Sequence, residues 1–214
     1  MKKFFIVCIV CAICRFTAVS AQSLKKATAV QEKSMIAVIN STAASIRTIQ
    51  CGFVQTKSLS FLSGKMTSYG SMNYNNRGKL RWEYTSPYKY TFIINGDKVY
   101  TKSAKKTNTI DIRSSRLFQG IAQVMINSIT GKSISSNKDF TVDMYTSGNE
   151  WIAYLTPIKK DMKKMFKSIR LHFDYSRGIV SSVDMIEKNG DTTEITLTGV
   201  KTNVNLNEKI FSIN

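Results

Sequence analysis

His172 is the one histidine in the sequence, and that limits the chemistry open to it. Multi-histidine metal sites are excluded, and a Ser-His-acid triad would rest on this residue alone. Around it, a strand-like period of two puts Ser168, Arg170, His172 and Asp174 on one face and Ile169, Leu171 and Phe173 on the other, which directs His172 to solvent. There is no C-x-x-C, no H-E-x-x-H and no glycine-rich phosphate loop, because Gly64-Lys65 lacks the preceding glycine spacing and the following hydroxyl. No cofactor, metal or catalytic residue is expected. The 14 acidic residues fall mostly in turns or in solvent-facing positions, as at Asp111, Asp139, Asp161 and Asp191, where surface charge is the plain reading and a hydrolytic pair is not indicated.

Binding through apolar surface is the chemistry that remains. In Lys79-Leu80-Arg81-Trp82-Glu83-Tyr84, alternation places Leu80, Trp82 and Tyr84 on one face. The next segment presents Tyr90, Phe92 and Ile94 on one face, and in a hairpin these stand beside the first three. Together the six residues form either an aromatic and aliphatic concave wall or an ordinary core facing helices.

The elements that must position this wall are mostly strands. Turn signals at Asn75-Asn76-Arg77-Gly78, Ser86-Pro87, Asn95-Gly96-Asp97, Ser176-Arg177-Gly178 and Lys188-Asn189-Gly190-Asp191 separate segments rich in β-branched and aromatic residues. These predict strands near 52–60, 65–75, 79–86, 89–95, 98–103, 107–112, 139–147, 150–156, 166–175, 179–188 and 191–200, in an antiparallel meander. Val30, Met35, Val38, Ile39, Thr42 and Ile46 recur at helical spacing and predict an amphipathic helix over 27–46. Leu117, Phe118, Ile121, Val124, Met125 and Ile129 predict a second helix over 114–130, closed by Gly131. The fold class is therefore mostly β: a strongly curved sheet or incomplete antiparallel barrel whose open face is covered by helices.

Residues 1–21 read as a signal peptide, with Lys2 and Lys3 before an apolar run and Ala18-Val19-Ser20-Ala21 offering a cleavage point near Ala21. Residues 22–214 then form a single domain. Cys8, Cys11 and Cys14 leave with the leader, and Cys51, beside Gly52 and Phe53, reads as a small buried hydrophobe without a disulfide partner. The formal net charge of +17 favours anionic surfaces, and its one dense cluster is Lys159, Lys160, Lys163, Lys164 and Lys167, read as a solvated charged loop or a docking patch.

Several short motifs occur in a fixed order: Phe53-Val54-Gln55, Gly70-Ser71-Met72, Arg81-Trp82-Glu83-Tyr84-Thr85-Ser86-Pro87, Asn95-Gly96, Leu155-Thr156-Pro157, Phe173-Asp174, and Gly190-Asp191-Thr192-Thr193 with Asn203. In order and spacing they resemble the outer-membrane lipoprotein carrier protein family, LolA, over nearly all of the chain beyond the leader. The resemblance implies an incomplete barrel of about eleven strands with a helical lid, and a non-enzymatic periplasmic carrier. Such a carrier takes acylated lipoproteins from an inner-membrane ABC-type releasing complex to an outer-membrane acceptor, with no metal, nucleotide or nucleic acid bound, most simply as a monomer. It further implies that Leu80 faces lipid, that Leu117, Ile121, Val124 and Met125 belong to the lid, and that an arginine after the Gly70 strand latches it. Here the sequence departs from the family pattern, and Arg77, offset by one, and Asn76 are both candidates for the latch. The alternative is a LolA-like binding protein for another lipid, or a regulator that senses lipoproteins.

Overall fold

The computed structural model describes residues 23–111, 126, 127, 130, 134 and 139–212; the leader, and with it the expected cleavage point, lies outside these. The chain enters through a two-residue strand, β1 (Lys25–Lys26), and α1 (Ala29–Ser45). Then follow β2 (Thr48–Ser58), β3 (Lys65–Asn75), β4 (Lys79–Ser86), β5 (Tyr90–Asn95), β6 (Lys98–Ser103) and β7 (Thr107–Asp111). After them come β8 (Phe140–Ser147), β9 (Glu150–Pro157), α2 (Lys160–Met165), β10 (Phe166–Asp174), β11 (Ile179–Glu187), β12 (Thr192–Thr202) and a 3-10 turn at Glu208–Phe211.

All twelve strands belong to one antiparallel sheet in the order β1-β8-β9-β10-β11-β12-β2-β3-β4-β5-β6-β7, and it is not closed. Each expected segment has its counterpart in β2 to β12; β1 is additional, too short to carry a sequence period. A sheet of this size must coil, and register shifts between Tyr69 and Gly70, Phe166 and Ser168, His172 and Phe173, and Thr198 and Lys201 mark where it bends. The result is an incomplete, strongly curved barrel with one concave apolar face.

Helix α1 starts cleanly because Thr28 and Gln31 form a capping box, the Thr28 side chain accepting from the Gln31 N–H and the Gln31 side chain from the Thr28 N–H. It buries Met35 and Ile39, followed by Ile46 beyond its end, in the core cluster on the concave face, and Ala43 is buried on the same stripe. Two expectations for this helix fail: Val30 is 80% exposed and Val38 is 41% exposed. The buried stripe is a narrow i, i+4, i+8 row, and Val38 instead lies beside the β10–β11 turn, where a Cβ on Gly178 would come within 3.1 Å of it. Thr42 Oγ1 donates to the Arg177 carbonyl at 3.2 Å, fastening the helix to that turn.

The lysine cluster is not a loop. Its centre is the short helix α2, with Met162 buried as its anchor and Lys163 and Lys164 in the last turn, where the helix dipole favours cations. Asp191, expected at the surface, is buried, because its carboxylate accepts from the Ser60 N–H at 2.8 Å and so ties the β2–β3 hairpin to the β11–β12 turn. That hydrogen bond holds the Asp191 carboxyl below the usual carboxylate range.

On the convex face, His172 does point away from the core, but it is only partly exposed. It sits between Glu150 (3.2 Å from Nδ1) and Asp184 (3.2 Å from Nε2), and Arg170 also reaches Asp184 at 3.1 Å. The hydrogen bond to Asp184, reinforced by Glu150, raises the His172 pKa above its ordinary value near ~6.5 despite the opposing effect of burial. Since the folded value is the higher one, the stabilisation is complete below ~6.5 and lost as pH rises through the folded value. Thermal melts of the wild type and His172→Gln should therefore differ more at about pH 5.5 than at about pH 8.5; a difference that grows with pH contradicts this linkage.

Candidate functional site

The concave face can be followed row by row across β2 to β6. One row runs Ile49, Tyr74, Leu80, Ile94, Val99; the next Cys51, Met72, Trp82, Phe92, Thr101; the third Phe53, Gly70, Tyr84, Tyr90, Ser103. The six residues singled out from sequence thus lie side by side in direct register: Leu80 opposite Ile94, Trp82 opposite Phe92, Tyr84 opposite Tyr90. Leu80, Trp82 and Ile94 are buried, while Tyr84, Tyr90 and Phe92 are half-buried.

Three residues outside that set organise it. Phe53 lies across the sheet and stacks on Trp82, with centroids 4.1 Å apart and planes at 26°, and meets Tyr84 edge-on at 5.2 Å. It can recline there because position 70 is glycine: a Cβ at Gly70 would lie 2.1 Å from the Glu83 carbonyl oxygen and 2.3 Å from the Phe53 ring. Gln55 Oε1 accepts from the Tyr84 hydroxyl at 2.9 Å, which satisfies a polar tip on an apolar wall. Burial pushes the Tyr84 phenol above its ordinary pKa, so it stays a neutral donor. The indole N–H of Trp82 is close enough to Tyr84 to oppose that shift, yet among the described residues it has no partner of good hydrogen-bond geometry.

Cys51 fits the row as a small hydrophobe, as expected: it is buried, and desolvation pushes its thiol up to about 12. Of the expected second helix, Ile126, Asn127 and Thr130 are described and helical. Thr130 Oγ1 donates to the Ile126 carbonyl at 2.8 Å, and Ile126 and Ile134 pack against the core. Leu117, Ile121, Val124 and Met125 lie outside the described residues.

Asn76 and Arg77 are exposed in the β3–β4 turn. The Asn76 N–H donates to the Arg47 carbonyl at 2.8 Å, and both residues border a cleft of about 530 Å³ shared with Asn203 and Glu208. The convex side of the same strands is covered by the chain's own C-terminal segment. Glu208 binds Lys79 at 2.6 Å and Asn75 at 3.0 Å, Arg81 donates to the Ile210 carbonyl at 3.0 Å, and Asn95 to that of Phe211 at 3.2 Å. Phe211 and, on the outward side of β5, Ile93 are fully buried.

A half-barrel with an aromatic inner wall, helices against its open side and, among the described residues, no cluster of metal-ligating side chains defines a binding protein built around an apolar interior. Residues 44–214 match the family described as outer membrane lipoprotein carrier protein LolA, and the chain belongs to that family, whose members bind and transport rather than catalyse. It is similar to the outer-membrane lipoprotein carrier protein of Methylococcus capsulatus, with 22% identity over 167 residues, 78% of this chain and 77% of that one. It is likewise similar to the protein of the same description from Neisseria meningitidis, with 23% identity over 145 residues, 68% of this chain and 67% of that one. Among solved structures, an uncharacterized conserved protein from Thermus thermophilus superposes with a TM-score of 0.50 at 8% identity, covering 84% of this chain and 91% of that one, a likeness of fold.

Gly70 offers a direct test of the wall. Gly70→Ala should cost about 1–3 kcal/mol or more through overpacking, read as a lower urea midpoint with unchanged slope, and should raise Trp solvent exposure. A variant as stable as wild type would show that Phe53 is not held where the structure puts it.

Proposed function

We propose that the protein is a periplasmic carrier that holds the acyl chains of lipoproteins against its concave face and moves them from the inner to the outer membrane. The observation that carries this reading is the continuous wall of Leu80, Trp82, Tyr84, Tyr90, Phe92 and Ile94, in register on one face of an unclosed sheet. The family's name supports lipoproteins as the cargo.

The physical task is to shelter acyl chains whose transfer into water costs ~0.8 kcal/mol per methylene, and still release them. Leu80, Trp82 and Ile94 are each no more than 3% exposed, so this half of the wall is covered by the protein's own groups, while Tyr84, Tyr90 and Phe92 stay half-buried. Cargo would displace that cover, exchanging one set of apolar contacts for a similar one, and the net free energy of such an exchange is small. Direction then comes from the partners: an inner-membrane ABC-type releasing complex that loads the carrier and an outer-membrane acceptor of higher affinity that unloads it. Such a carrier acts as a chaperone and needs no fuel of its own.

Leu117, Ile121, Val124 and Met125 are the residues assigned to the lid, and Arg77 or Asn76 to its latch. What supports the latch assignment is their exposed position at one end of the wall, in the turn that immediately precedes Leu80. Leader cleavage near Ala21 would deliver the protein to this compartment.

Native mass spectrometry of protein purified from the periplasm of its own host tests the assignment. Wild type should carry acylated polypeptide, and Leu80→Glu should lose it. Because Leu80 is fully buried, Phe92→Ser at a half-buried position is the companion variant, with far-UV circular dichroism checking the fold of both. A free small lipid on the wild type would favour a carrier of another ligand; unchanged cargo on folded variants would remove the wall from the site.

A further inference from the structure

In an antiparallel sheet alternate turns emerge at the same end, and here one end gathers several large exposed apolar side chains, whereas the other exposes Tyr175 together with Arg47, Arg77, Lys98 and Arg177. The β2–β3, β4–β5, β6–β7, β9–β10 and β11–β12 connections share the first end, as the strand pairings require. Large apolar side chains stand exposed on three of these connections: Phe61 (77%) and Leu62 (55%) at the hairpin tip, Tyr88 (61%) after β4, and Ile158 (47%) before α2. Lysines share this end, with Lys160, Lys163 and Lys164 on α2, Lys167 at the start of β10, and Lys105 and Lys106 in the β6–β7 turn, all exposed. Of the carboxylates there, Glu187 pairs with Lys57 at 3.3 Å, Asp139 with Lys159 at 3.4 Å, and Asp191 accepts from the Ser60 N–H, while Asp161 is exposed in the first turn of α2.

We propose that this end of the sheet docks on an anionic lipid bilayer, with Phe61 and Leu62 inserting at the headgroup boundary and the lysines binding lipid phosphates. The combination is not explained by solubility alone. Isolated lysines keep a surface wet, but an aromatic and a leucine on a projecting tip expose apolar area that water disfavours. Combined with basic residues, such a tip has the composition of interfacial anchors, in which apolar burial and attraction to anionic lipid act together. The tip is also suitably built. The β2–β3 ladder ends at the Ser58–Lys65 pair, so 59–64 project beyond it, while Asp191 anchors the base of the loop at Ser60. An acidic protein would satisfy the lysines but would need a matching pocket for a convex apolar tip, whereas a bilayer accepts one without shape complementarity.

This inference concerns the outer rim and does not depend on what the concave face carries, so its failure leaves the cargo assignment untouched. Vesicle sedimentation tests it, using protein purified from the periplasm and two lipid compositions, phosphatidylcholine alone and phosphatidylcholine with phosphatidylglycerol. Partitioning onto the anionic vesicles should exceed that onto neutral ones by about tenfold or more at low salt, and fall as salt shortens the screening length below ~10 Å. The exposed-tip variant F61S/L62S and the α2 variant K160Q/K163Q/K164Q should each reduce it several-fold while leaving circular dichroism unchanged. Equal binding to both vesicle types, no binding to either (the outcome expected if the partner is an acidic protein), or binding that ignores F61S/L62S would overturn the proposal.

Discussion

The concave face holds together around an aromatic side chain that lies flat across a gap in the sheet. Phe53 belongs to β2, yet its ring stacks on Trp82 of β4, two strands away, and this is possible only because Gly70 of the intervening β3 carries no side chain. The same glycine sits at a register shift that bends β3 against β4, so close ring packing and sheet curvature are produced at one position. Curvature gives the sheet an interior, and the stacked rings make that interior apolar; Gln55 accepts from the Tyr84 hydroxyl, which would otherwise oppose it.

The short motifs that mark the family gain a physical meaning from this arrangement. Phe53-Val54-Gln55, Gly70 and Trp82-Glu83-Tyr84 are far apart in sequence but form one cluster, in which Phe stacks on Trp, Gln accepts from Tyr, and Gly leaves the space. The constraint is one of mutual fit. Changing any member disturbs the others, because in a close-packed interior a single methyl group is felt.

Much of this was legible from the residues alone. The strands and their turns followed from period-two alternation bounded by Asn-Gly and similar pairs, and the face shared by Leu80, Trp82, Tyr84, Tyr90, Phe92 and Ile94 follows from the same period, since it fixes which side each residue takes. Three features were not legible, each for a tertiary reason. Alternation cannot say that Ile93, on the outward side of β5, is buried, because what covers that side is the C-terminal segment ending in Phe211, brought there by Lys79, Arg81 and Asn95. Helical spacing gave α1 a broad apolar stripe, but the helix buries only Met35, Ile39 and Ala43 and leaves Val30 in solvent. Asp191 looked like a turn residue at the surface until the Ser60 N–H arrived from a distant hairpin.

The proposed carrier role requires acyl chains to lie against the wall around Trp82. Fluorescence quenching by a lipopeptide whose acyl chains are brominated, measured on the Trp151→Phe variant so that Trp82 is the sole tryptophan, tests it most directly. Saturable quenching of Trp82 by the brominated lipopeptide is expected, and none by the same peptide without its acyl chains. Saturable binding of the lipopeptide that leaves Trp82 emission unquenched would contradict it.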